Sequence, residues 1–165
     1  MSAASPAMDR RRTAWSGALL GIGLAGTLDE VLLHQILHWH HFYDRSTSAV
    51  GLVSDGLFHV ASTMLLLYGM YRLGQHRSWQ IPGWACRFWA GVLLGLGGFN
   101  LYDGVIQHKV LRLHQVRPGV AHQLPYDAGF IGIATAILLA GLILLRAAHQ
   151  PDGHDTGRAS DDWQE

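Results

Sequence analysis

The sequence predicts an all-α fold, a four-transmembrane-helix bundle built from two pseudo-repeated helical hairpins with both termini cytoplasmic. Apolar residues in this 165-residue chain gather into four long blocks, Trp15 to Leu37, Leu52 to Leu73, Phe88 to Leu111 and Phe130 to Leu145. Each approaches the roughly 20 residues that a spanning helix needs. The last block, from Ala134 to Leu145, has no polar stripe on any helical face, which argues against a helix on the surface of a soluble core. The third observation is a repeat: Asp29, His34 and His40 recur 74 positions later as Asp103, His108 and His114.

Orientation follows from the basic residues, because Lys and Arg accumulate in cytoplasmic loops. With the amino terminus inside, Arg10, Arg11, Arg12, Arg72, Arg77, Arg87, Arg146 and Arg158 lie inside, against Arg45, Lys109, Arg112 and Arg117 outside. Residues 1–14 then form a cytoplasmic basic lead, residues 15–146 the membrane domain and residues 147–165 a polar tail expected to be disordered. An apolar run after three arginines also resembles a signal peptide, but no convincing small-residue cleavage site follows it.

Within the membrane domain the expected helices cover about 15–38, 52–73, 87–112 and 126–146. Helix one carries Gly17 and Gly21 at a spacing that lets a neighbouring backbone approach closely, and helix three repeats the theme with Gly91 and Gly95. Helix two opens on Ser54 and Asp55, either of which can cap free amides, with His59 one turn further along the same face. Helix four opens at Pro125-Tyr126-Asp127. Net charge is zero and the arginines are scattered, so no basic patch suits nucleic acid. The single Cys86 excludes an internal disulfide and a thiolate metal cluster.

The expected outer side collects His34, His38, His40, His41, His59, His108, His114 and His122, together with Asp29, Asp55, Asp103 and Asp127. Intramembrane acids are costly and normally face the bundle with a partner, and here the partners are imidazoles and an ion. Candidate metal ligands are His34, His38, His40, Asp55, His59, Asp103, His108 and His114, supported by Asp29, Glu30, His41, His122 and Asp127. Imidazole with carboxylate suits copper, iron or zinc without choosing among them.

On a continuous α-helix Glu30, His34, His38 and His41 share an arc of roughly 80°, whereas His34 points about 140° away from Asp29. Either the helix breaks near His38 or the histidines serve two sites. Other uses of these residues are hydrogen-bonded pairs that tie helices together, a proton path, and axial ligation of a haem.

The runs Leu33-His34-Gln35-Ile36-Leu37-His38-Trp39-His40-His41, Ser54-Asp55-Gly56-Leu57-Phe58-His59 and Phe99-Asn100-Leu101-Tyr102-Asp103-Gly104, the last leading to His108 and His114, are similar to motifs of a known family. The chain over about residues 15–146 resembles small bacterial predicted membrane proteins with four membrane helices, catalogued as a domain of unknown function. The resemblance implies the fold and a bacterial inner-membrane location, and it brings no activity with it. The expected function is a His/Asp transition-metal site near the periplasmic face, used in metal handling or metal-dependent oxidative chemistry. A haem-binding electron carrier and a non-catalytic assembly partner of a membrane complex are the alternatives. The expected partners are the lipid bilayer and either further copies of the chain or a larger membrane complex.

Overall fold

The computed structural model describes residues 6–75, 80 and 82–149, so the tail from residue 150 onward lies outside the described residues. Helix α1 spans Pro6–Asp29 and continues as a π-helix over Glu30–Ile36. Helix α2 spans Ser48–Gln75. Helix α3 spans Trp84–Tyr102 and continues as a π-helix over Asp103–Leu111, and α4 spans Leu124–Ala147. No strand occurs among the described residues.

Helix α1 begins earlier than expected. Arg10, Arg11 and Arg12 belong to its first turns. Asp9 sits in the first turn, where the helix dipole favours an acid, and lies 3.6 Å from Arg12 one turn on. Thr13 and Ser16 donate their hydroxyls to backbone carbonyls four residues back and so bury no unpaired oxygen.

Met8–Ile36, Ser48–Gln75 and Leu124–Ala147 are long and apolar enough to cross a membrane. The remaining expected span is α3 with its extension, where glycines and Asp103, Gln107 and His108 dilute the apolar run. It is a central helix: α2 packs on α1, α1 on α3 and α3 on α4. The bundle is polar inside and apolar outside. Its buried positions include six apolar residues and fourteen polar or charged ones, while Leu52, Leu57, Met64, Ile133 and Ile143 are each more than half exposed. A soluble fold would sort these residues the other way; hydrocarbon solvates the outer face without cost.

The central pair meets backbone to backbone. A Cβ on Gly17 would lie 2.2 Å from the Phe88 carbonyl oxygen and one on Gly91 would lie 2.1 Å from that of Ala14. Gly21 faces Val92 and Gly95 faces Ala18 in the same way. Each contact maps onto its mate by the 74-residue repeat, so α1 and α3 are related by a pseudo-twofold axis. The outer helices follow with a 72-residue offset: Gly69 of α2 sits on Leu20, and Gly141 of α4 sits on Leu94. The two-residue difference is taken up in the connections that lead to the site.

Candidate metal centre

The sequence repeat becomes a geometric one where α1 and α3 turn into π-helices. Hydrogen bonding from i to i+5 brings residues five apart onto one side, which an α-helix does not. His34 Nε2 thereby comes within 3.5 Å of Asp29 Oδ2, and His108 Nε2 within 3.0 Å of Asp103 Oδ2. The expected angular conflict between these pairs is removed by the change of helix type.

Both π-helices then stop in the same way. His38 and Arg112, equivalent in the repeat, adopt left-handed conformations with φ of 50° and 52°. For residues with a Cβ this costs about 1–2 kcal/mol each. The amide of Trp39 closes back on the Leu33 carbonyl at 2.9 Å and that of Leu113 on Gln107 at 3.0 Å. The helix thus breaks at His38, one of the two outcomes the spacing allowed. The break carries His40 and His114 back over the helix ends.

His40 and His114 are held by a reciprocal clamp. His40 Nδ1 donates to the Val116 carbonyl at 3.1 Å, and His114 Nδ1 donates to the Phe42 carbonyl at 2.9 Å. A carbonyl only accepts, so the proton of each neutral ring stands on Nδ1 and the Nε2 lone pair points inward. The rings stack with centroids 4.7 Å apart. His34 meets His40 edge-on at 4.6 Å, and His108 meets His114 edge-on at 4.5 Å.

His34 Nδ1 donates to Glu30 Oε2 at 2.7 Å, which leaves its Nε2 bare as well. The Nε2 atoms of His34, His40, His108 and His114, with Asp29 Oδ1 and Asp103 Oδ2, are buried without a hydrogen-bond partner among the described residues. The 3.0 Å approach of His108 to Asp103 is not aligned as a hydrogen bond, and both nitrogens of His108 are buried without a hydrogen-bond partner among the described residues. Ligand atoms of His40, His108 and His114 lie within 4.8 Å of one another, as do those of Asp29, His34 and His40 and those of Glu30, His34 and Asp55.

Burial, followed by the neighbouring His114, His34 and His108, pushes the His40 pKa down to about 3 and keeps that imidazole in the ligating form. His114 is also buried, which alone would lower it, but the Asp103 carboxylate beside it raises it above the usual imidazole value.

Around this symmetric centre the two halves differ. Asp55 accepts the Phe42 amide at 2.7 Å and His41 Nδ1 at 2.6 Å, and its Oδ1 lies 3.4 Å from His34 Nδ1. Its counterpart Asp127 pairs with Lys109 instead. Glu30 is replaced by Gly104, against which Phe130 packs closely.

Of the other expected ligands, His38 is exposed at the helix break and His122 is exposed on the connection to α4. His59 is half-buried with an unpartnered Nδ1 and joins none of the clusters among the described residues. The residues not anticipated are Val116 and Phe42, which act through backbone carbonyls, and Phe58 and Phe130, which wall His34 and His108 at 6.2 and 5.5 Å. Phe58 and Phe130 share the spacing of Asp55 and Asp127, and that was the available signal.

Comparison with known proteins gives a family model described as "Predicted membrane protein (DUF2243)", which matches residues 16–148. No curated protein and no solved structure matches the chain.

Proposed function

The chain belongs to this family of predicted membrane proteins, and from its buried imidazole cluster we propose that it binds a transition-metal ion through His34, His40, His108 and His114, with Asp29 and Asp103. The observation that carries the reading is the set of four buried Nε2 atoms without hydrogen-bond partners, two of them on rings whose Nδ1–H is held by a backbone carbonyl. Pairing among His34, His40 and His114 would satisfy none of their Nε2 atoms, since a neutral imidazole with Nδ1–H bound offers only an acceptor there. Cations held by His40, His108 and His114 and by Asp29, His34 and His40 would satisfy them. Copper, iron and zinc accept this nitrogen-rich set, whereas magnesium and calcium prefer oxygen.

Glu30 behind His34 is the carboxylate–histidine partnership that orients a ligand and raises its basicity. The excess of basic residues at the opposite end of the bundle supports a centre on the periplasmic side of a bacterial plasma membrane. Metal handling or metal-dependent oxidative chemistry is the role, the latter requiring a coordination position for oxygen or water. The edge-on and stacked packing of the four rings favours a small ion over haem, because a planar macrocycle needs an open slot between its axial imidazoles.

Metal analysis with an optical spectrum, on full-length protein in mild detergent, tests the reading. Stoichiometric copper, iron or zinc that is lost equally in His34→Ala and His108→Ala supports it. A Soret band would turn the assignment to haem. Protein that is metal-free, takes up none of the three ions and melts as before after both substitutions would leave an assembly role as the better account.

A further inference from the structure

The opposite end of the bundle holds a second built site. A cavity of about 510 Å³ is lined by Arg10, Arg11 and Ala14 of α1, Arg87 of α3, and Leu145 and His149 at the end of α4. Arg87 is only 7% exposed, and its Nε and Nη1 have no hydrogen-bond partner among the described residues. No carboxylate pairs with Arg10, Arg11 or Arg87 among those residues; the nearby Asp9 is taken by Arg12. Burying a guanidinium with bare donors is costly unless an anion completes it, and three guanidiniums beside the amino-terminal ends of α1 and α3 define an oxyanion site.

The cavity does not end at the charges. Ala14 and Leu145 also line an adjoining groove of about 400 Å³ that continues along Ala18, Ile22, Gly91 and Gly95 toward the middle of the bundle. Its lining is apolar. A phosphate-bearing group at the arginines with a hydrocarbon chain in the groove matches both parts, whereas a free anion uses only the first.

We propose that this end of the bundle binds an anionic phospholipid, its headgroup phosphate on Arg87, Arg10 and Arg11 and one acyl chain along the Ala18–Gly95 groove. The site is independent of the metal centre and lies at the other membrane face.

The test is native mass spectrometry of the full-length protein in mild detergent, titrated with dioleoyl phosphatidylglycerol, dioleoyl phosphatidylcholine, dihexanoyl phosphatidylglycerol and inorganic phosphate. Dioleoyl phosphatidylglycerol should be retained at roughly tenfold lower concentration than the choline lipid. The exposed pair Arg10→Gln and Arg11→Gln should erase that preference without lowering the melting temperature. Arg87→Gln should do the same, and the exposed pair keeps the proposal testable if Arg87→Gln does not fold. Equal retention of both dioleoyl lipids would overturn the proposal, as would selectivity that survives the arginine changes. Displacement by millimolar phosphate, or dihexanoyl lipid binding as tightly as dioleoyl, would also overturn it. A wild-type chain indifferent to headgroup charge that gains selectivity with Asp152→Asn and Asp155→Asn would assign the arginines to the chain's own acids and count against it too.

Discussion

Gly21→Ala should loosen the proposed metal centre from a distance, and the expected size follows from the packing of α1 on α3. The new Cβ would stand 2.2 Å from the Val92 carbonyl oxygen, a distance that real Cβ atoms do not adopt, and the obstacle is backbone that no side-chain rotation can move. Restoring even a tight contact requires the helices to separate by somewhat under 1 Å, a shift of the kind that overpacking imposes at about 1–3 kcal/mol. The same separation acts on the clamp, since His40 on one half bonds Val116 on the other at 3.1 Å and His114 bonds Phe42 at 2.9 Å. Lengthened by that amount, both bonds leave hydrogen-bond range. Gly21→Ala should therefore lower the melting temperature in detergent and weaken metal retention by at least tenfold, with Gly95→Ala doing the same. The double variant should cost less than the sum, because both open one interface. Gly74→Ala is the control, as nothing lies within 4 Å of its Cβ position and helix propensity makes it neutral or slightly stabilising. A Gly21→Ala protein that melts with the wild type and keeps its ion would refute the coupling of helix contact to site.

The other expectations concern the ligands and their surroundings. His40→Ala and His114→Ala should each cut metal affinity by tenfold or more and by similar factors in a competition titration, given the reciprocal clamp. His38→Gly and Arg112→Gly should raise stability by about 1 kcal/mol each in thermal melts, by relieving left-handed strain, and His38→Gly should leave metal content unchanged. His122→Ala should likewise leave metal content unchanged. Asp55→Asn removes the carboxylate from His41 and from the Phe42 amide and should destabilise by about 1–3 kcal/mol. Asp127→Asn, whose partner Lys109 is well exposed, should cost less in the same chemical-denaturation series.

The fold was legible because it rests on patterns that sequence records directly. Long apolar blocks give the helices, and Gly17, Gly21, Gly91 and Gly95 announce the central contact by their spacing alone. The centre was legible in part. Asp29, His34, His40, Asp103, His108 and His114 stand out by repetition, but their convergence depends on two π-helical stretches, and a π-helix differs from an α-helix only in which carbonyl an amide chooses. No residue type encodes that choice strongly. The same limit explains His38. On an α-helical wheel it shares the stripe of His34 and His41, whereas in the structure it is the hinge that turns the chain and faces outward. The carbonyls of Phe42 and Val116 were invisible for a simpler reason, since every residue has one.

The reciprocal clamp says something about how the site is made. Neither hairpin can fix its own second histidine, because His40 is oriented by the α3–α4 half and His114 by the α1–α2 half. Association of the two halves along the glycine seam is thus the same event as setting the tautomers that expose both Nε2 atoms. The outer surroundings are free to diverge under that constraint, and they have: Glu30, His41 and Asp55 surround one side, while Gly104, Lys109 and Asp127 occupy the other. Symmetry is kept where the two halves must meet and lost one layer out, so His34 is backed by the Glu30 carboxylate while the His108 side has Gly104 at that position. If the centre carries out chemistry, that difference makes the His34 ligand the stronger donor and the His108 ligand the weaker one. His108→Ala should then be the variant more readily rescued by added imidazole, and equal rescue of His34→Ala would show that the asymmetry has no consequence at the ion.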